Sequence, residues 1–461
     1  MHRHVVYALA LVASVCSIWS RPSHAAASYR ERVREHVLPN GLKLILLEDH
    51  KAPEATFQVW YRVGSRNEEL GKTGLSHLLE HLMFKGTDKY APEEYSKIIQ
   101  RNGGNENAFT GDDSTTYFAT LASDRVNVVI DLEADRMHNL KFDDAQFTPE
   151  HKVVMEERRL RTDDSPMSAL FELLSSTAYV AHPYAWPVIG WMNDLSQATR
   201  EDALAHYKLF YHPGNAFVVA AGDFSADELI QQIDKAFGPI SAGPQPPEVR
   251  AKEPEQQGER RSTLRREAQL PFVAIAYHVP NLQSPDGAVL EVLSGILAGG
   301  KSSRLHQKLV YEKRLAHEAG AQYELTSHDD GLFSLYAQPL PGKSAVQLEK
   351  EIETEIDLLR DKPVSEHELT KTKNGIEAGF ILAQDSTFYQ AMVLGQYEVA
   401  GDWKRVDDYL PSIRAVTAAD LQRVVAKYLI PTNRSVATLD PIPPKPGQPP
   451  RPERAPQGMV H

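Results

Sequence analysis

A chain of 461 residues, 42% hydrophobic and 24% charged, has room for two or three domains with real cores. Its formal net charge of -12 argues against an overall basic face for nucleic-acid phosphates. The single cysteine, Cys16, lies in an N-terminal apolar run. A chain trimmed of that run has no disulfide, no thiolate nucleophile and no cysteine metal site.

That run comes first along the chain. Arg3 and His4 precede apolar Val5 to Trp19, and small-x-small patterns follow at Ser23-His24-Ala25 and Ala25-Ala26-Ala27. This is the pattern of a secretory signal peptide over residues 1–27. About 15 apolar residues are short for a membrane span. We therefore expect export, with the bacterial periplasm as the destination and no stable membrane insertion after cleavage. Next, Val37-Leu38-Pro39-Asn40-Gly41-Leu42-Lys43-Leu44 predicts a strand, an Asn-Gly turn and a second strand. Phe57 to Val63 and Thr116 to Leu121 are strand-like, and 74–86, 92–101 and 124–140 helical. Thr148-Pro149-Glu150 predicts a helix start, with Thr as N-cap and Pro at the first helical position.

This irregular alternation of strands and helices predicts an α+β fold with mostly antiparallel sheets. A weak repeat supports two like halves. Pro213-x-Asn215 and Pro431-x-Asn433 each follow a helical stretch and a tyrosine, 218 residues apart (431 minus 213). Composition divides the chain into a first domain over 28–240, a Pro/Gln/Glu-rich linker over 241–262, a second domain over 263–440, and a Pro-rich disordered tail over 441–461.

The strongest local signal is His77-Leu78-Leu79-Glu80-His81. On a helix the two histidines lie roughly 40° apart, so both imidazoles can hold one Zn²⁺. Glu80 lies about 60° to the side of His77, placed to reach a metal-bound water without ligating. Leu75, Leu78, Leu79, Leu82 and Met83 fall on the opposite, core-facing side. A third ligand is required. The helix after Thr148 offers Glu150 and Glu157 on one face, with Glu156 turned about 100° from Glu157. No G-x-S-x-G elbow supports a serine hydrolase instead.

These residues resemble the pitrilysin and mitochondrial-processing-peptidase family, the inverzincins. In that family a glutamate ligand follows the second histidine by about 76 residues, and 157 minus 81 is 76, which selects Glu157 over Glu156. A family acid seven residues earlier matches Glu150, expected to orient a ligand or the water. Gly74-Leu75-Ser76, Phe84-Lys85-Gly86-Thr87, Gly104 to Tyr117 and His182-Pro183-Tyr184 also look like family sequence. The resemblance implies that Asn107, Ala108, Phe109 and Thr110 form an edge strand that pairs with substrate backbone, a mode with little sequence demand. It implies two homologous halves, each a mostly antiparallel sheet packed by helices, forming a clamshell with zinc in the first.

One stretch departs from the family. Active members carry an arginine and a tyrosine seven residues apart in a later domain, and the matching positions here hold Val310 and His317. Tyr311 and Arg314 are nearby but out of register. The chain thus resembles the zinc-bearing subunit, whose partner supplies that pair; a homodimer is the other arrangement. The expected function is a zinc-dependent endopeptidase with Glu80 as general base. A non-proteolytic scaffold that keeps the fold is the alternative, and its mark would be loss of a ligand or of Glu80.

Overall fold

The structure is a computed structural model that describes residues 28–443. The expected signal peptide and nearly all of the expected tail lie outside the described residues. Strands β1 (Val33–Val37), β2 (Lys43–Glu48), β3 (Glu54–Tyr61), β4 (Asn105–Thr110), β5 (Thr115–Ala122) and β6 (Ala216–Gly222) make one sheet in the order β1-β2-β6-β3-β5-β4. Strands β7 (Arg260–Glu267), β8 (Phe272–Val279), β9 (Ala316–Tyr323), β10 (Gly331–Pro339) and β11 (Arg434–Ile442) make a second, ordered β7-β11-β8-β10-β9. Setting β1 aside, the two orders are the same. Each sheet has one parallel pair, β2 with β6 and β7 with β11, and is otherwise antiparallel. The α+β fold in two homologous halves is therefore present.

The repeat has a physical cause. Helices Arg200–Phe210 and Ala418–Tyr428 open with capping boxes, Thr199 with Asp202 and Thr417 with Asp420, and 417 minus 199 is again 218. After each helix comes a short turn, Pro213–Asn215 or Pro431–Asn433. Asn215 Nδ2 donates to the carbonyls of Phe210 at 3.0 Å and Arg62 at 3.4 Å. Asn433 Nδ2 donates to Tyr428 and His278, both at 2.9 Å. In each half this asparagine ties the helix end to the neighbouring strand, which is why Pro-x-Asn recurs.

Both faces of each sheet are buried, and the covering helices are exchanged. In the first sheet Leu44, Leu46, Phe57 and Val59 face the helices of their own half. Ile45, Leu47, Trp60 and Phe217 instead pack with Ala391, Leu394 and Tyr397 from the second-half helix Thr387–Val399. Reciprocally, Leu170 and Leu174 of the first-half helix Pro166–Ala178 cover Phe272, Ala274 and Ala276 of the second sheet. The alternation that assigns each residue to a face is the two-residue period of a strand. The exchange means that the halves share cores, which a division of the sequence at 240 does not convey.

Several expected boundaries need correction. The helix expected from Thr148 begins at Asp144 and runs to Arg158, with Pro149 inside it. Asp143 is the true cap: its side chain accepts from Ala145 N at 2.8 Å and Gln146 N at 3.2 Å, while Gln146 returns a bond to Asp143 N at 3.0 Å. Pro149, the sixth helical residue, has no N–H for the Ala145 carbonyl and crowds that carbonyl with its ring, so it is a cost the helix carries rather than its start signal. The hairpin after β1 is a five-residue connection rather than a two-residue Asn-Gly turn, because Gly41 N bonds back to Leu38 O at 2.9 Å. The linker ends at Glu259, since Arg260 to Ser262 pair with β11. It is also pinned: the Glu253 carboxylate accepts the backbone N–H groups of Val180, Ala181 and His182. Pro441 and Ile442, assigned to the tail, lie in β11 and pair with Arg266 and Glu267 of β7.

Candidate metal centre

The motif lies on the helix Leu75–Leu82. Leu75, Leu78, Leu79, Leu82 and Met83 are all buried and seat the helix in the first core. Its N-terminus is fixed by a residue that the sequence did not single out. Glu68 accepts the N–H groups of Gly74 at 2.7 Å and Ser76 at 2.6 Å. Burial pushes the Glu68 carboxyl up to about 8 against those two donors. Gly74 has φ +88°, and a Cβ there would stand 2.6 Å from the Ile189 carbonyl, so only glycine fits at the turn into the helix.

His77 and His81 stand one turn apart with ring centroids 4.9 Å from each other. The helix Asp144–Arg158 crosses nearby and delivers Glu157, whose Oε2 is 3.3 Å from His81 Nε2 and 3.9 Å from His77 Nε2. One ligand atom from each of the three lies within 4.8 Å of the others. A tetrahedral ion with bonds of about 2.0–2.1 Å sets its donors roughly 3.4 Å apart, so a small inward movement of His77 would complete the set. Glu156 points away and pairs with Arg159 at 2.9 Å.

The surrounding groups fix the tautomer. His81 Nδ1 is 3.0 Å from Glu150 Oε1, which leaves Nε2 for the metal. Lys85, one turn beyond His81, holds the other Glu150 oxygen at 2.5 Å. Arg161, one turn beyond Glu157, holds Glu157 Oε1 at 2.9 Å. Arg161 follows the i, i+4 rule from Glu157, so its signal was present in the sequence, whereas Lys85 pairs across to another helix and only packing shows it. Burial would lower the His81 imidazole, but its bonds to Glu150 and Glu157 outweigh that and hold it up to about 9. Burial would raise Glu157, yet the His81 bond and the charges of His77 and Arg161 hold it down to about 2. Burial raises the Glu80 carboxyl above its ordinary value, opposed by a bond from Thr110.

Two expectations follow for metal loading. A zinc ligand must be neutral imidazole, and His81 carries a proton below about 9. Zinc affinity should therefore fall about tenfold per pH unit from pH 8 to 7 on account of His81 alone; competition against a chromogenic chelator across that range measures it. Glu150→Gln should weaken zinc binding by about 10–100-fold, since it loosens the His81 ring without removing a ligand. Unchanged affinity in that titration would remove Glu150 from the site.

The expected edge strand is β4, which pairs only with β5 among the described residues. Asn107 is exposed, Ala108 and Phe109 are half-buried, and Phe109 packs edge-on against Trp60 with centroids 5.7 Å apart. Thr110 is only 2% exposed, so its side chain faces the protein rather than a bound peptide. In the second half the helix Asp286–Ala298 follows β8 as the motif helix follows β3. On that helix Gly295 stands against Thr372, and a Cβ there would lie only 2.7 Å from the Thr372 methyl. Val310 and His317 line a surface cleft of about 300 Å³ together with Tyr311 and Arg314.

Two histidines in H-x-x-E-H order, a remote glutamate and a neighbouring glutamate outside the donor set define, on this fold, the metallopeptidase class with the inverted motif. The sequence profile of Insulinase (Peptidase family M16) matches residues 43–190, and that of the Peptidase M16 inactive domain matches 197–376. The chain is 34% identical over 434 residues to "Zinc protease PqqE" of Helicobacter pylori, covering 93% of this chain and 98% of that one. It belongs to peptidase family M16. The crystal structure of a protease from Helicobacter pylori superposes with a TM-score of 0.87 at 34% identity, covering 89% of this chain and 99% of that one. A probable mitochondrial-processing peptidase subunit beta of Arabidopsis thaliana is 27% identical over 432 residues, covering 91% of this chain and 80% of the plant protein.

Proposed function

We propose that this chain is an exported zinc endopeptidase that hydrolyses extended peptides or small unfolded proteins in the periplasm. The observation that carries this reading is the convergence of His77, His81 and Glu157, with donor atoms within 4.8 Å, beside a glutamate that ligates nothing. Zinc held there supplies Lewis-acid polarisation of a carbonyl and acidification of water. Glu80 takes up the proton from the attacking water and hands it to the leaving amine. The main chain of β4 pairs with the substrate backbone, so recognition asks for an extended segment more than for a sequence. Glu150 and Arg161 hold His81 and Glu157 in their ligating poses. Every residue of the donor set and the base is kept, which favours catalysis over a scaffold role.

A second chain completes the site in this reading. Val310 and His317 stand where the resemblance asks for arginine and tyrosine, so a homologous partner supplies that pair, or a second copy offers its own cleft with Arg314 and Tyr311. The test is hydrolysis of an unstructured peptide by the protein purified from its native source. Activity should vanish on chelation and return with zinc. Cleavage that survives complete metal removal would sink the proposal.

A further inference from the structure

Thr110 sits at the meeting point of two functions. It closes β4, the strand offered to substrate, and lies opposite Thr115 in the register with β5. Its hydroxyl donates to Glu80 Oε2 at 2.5 Å. The residue is almost fully enclosed, and the turn after it is held by Gly111 N to Ser114 O at 2.8 Å. Thr115 in turn donates from its own hydroxyl to the Val63 carbonyl at 2.9 Å, which anchors the hairpin to the end of β3. A threonine side chain has few allowed rotamers, so its hydroxyl is a stiff pointer. The enclosed Tyr117 and Tyr211 place their hydroxyls 3.3 Å apart, within electrostatic reach of Glu80.

Resting on the peptidase reading above, we infer that Thr110 is a positioning residue: its hydroxyl holds one oxygen of Glu80 so that the other is aimed at the reacting water, and it fixes that aim relative to the strand that seats the peptide. The two oxygens then have separate tasks. Oε2 is committed to Thr110, and Oε1 is the proton acceptor. Because the same residue ends β4, the register of a bound peptide and the direction of the base are set by one rigid element. A peptide pairing along β4 meets a base already oriented. Loss of the hydroxyl should leave peptide affinity intact and misdirect the base.

Thr110→Val keeps the shape and removes the donor; Thr110→Ser keeps the donor. With zinc content equal to the parent, Thr110→Val should lower kcat by about 10–100-fold, in line with the cost of a small misplacement, and move KM by less than about twofold. Thr110→Ser should stay within about threefold of the parent kcat. Crystal structures of the metal-free parent and Thr110→Val supply a readout independent of activity, in which the Glu80 carboxylate should have swung off β4 in the variant. Parental kcat in Thr110→Val, equal losses in both variants, a change confined to KM, or an unmoved Glu80 in the crystal would each overturn the inference. If the parent, loaded with zinc and assayed in the native-source preparation that carries any partner chain, cleaves nothing, the peptidase reading fails, and the crystallographic comparison still decides the role of Thr110.

Discussion

Glu80→Gln is expected to lower peptide hydrolysis by about 10²–10⁴-fold while leaving zinc stoichiometry unchanged. The substitution keeps size and shape, and the amide oxygen can still accept from Thr110, whose hydroxyl lies 2.5 Å from the present carboxylate. The metal donors His77, His81 and Glu157 are untouched, as are the bonds that orient them to Glu150 and Arg161. What is lost is a group able to take a proton at neutral pH. The check is a pair of measurements on one preparation, metal content by elemental analysis and initial rates on an unstructured peptide. A variant that kept zinc and cleaved within about threefold of the parent would show that some other group acts as base. A variant that lost zinc would place Glu80 among the ligands, against the geometry.

The second large effect concerns stability. Asp113→Ala should destabilise the protein by about 1–3 kcal/mol, since it leaves nearly enclosed donors without their acceptor while Arg66 keeps Asp329. Asp113, in the β4–β5 turn, accepts from Arg66 Nε at 2.8 Å, from Tyr184 Oη at 2.8 and 2.9 Å, and from His328 N at 2.9 Å. The Arg66 and Asp113 side chains are only 10% and 11% exposed. The arginine also reaches Asp329 at 3.2 Å, which His182 Nε2 approaches at 3.1 Å. His328 and Asp329 belong to the second half, so this cluster latches the β4–β5 hairpin to the loop between β9 and β10 of the other sheet. Urea titration followed by intrinsic fluorescence should show the loss as an earlier midpoint. Asp113→Asn, which can still accept from Tyr184 and His328, should lose less. A midpoint within experimental error of the parent in the alanine variant would show that the latch does not contribute.

Much of the candidate centre was legible in the chain because its grammar is local. The His77/Glu80/His81 spacing needs only helical periodicity, and Arg161 lies one turn from Glu157, with which it pairs. Glu157 was different. Helix geometry left Glu150, Glu156 and Glu157 as candidates, and only the spacing of a resembling family chose among them. The start of that helix was misplaced because Pro149 is a conspicuous signal, whereas the effective one, Asp143 with Gln146 three residues on, is a quieter capping box.

What the sequence alone determined was the chemistry available: two imidazoles and a carboxylate on one helix face, a single cysteine, too few for a cysteine-built closed metal site, and a repeat spaced 218 residues apart (431 minus 213) that announces two like halves. Those features depend on residue type and short spacing, which a linear pattern records. The tertiary structure decided the rest. It exchanged helices Pro166–Ala178 and Thr387–Val399 between the sheets, placed Glu68 under the motif helix, and turned Thr110 inward onto Glu80. Each depends on which distant segments are packed together, and burial and hydrogen-bond satisfaction among such segments have no periodicity to read along the chain.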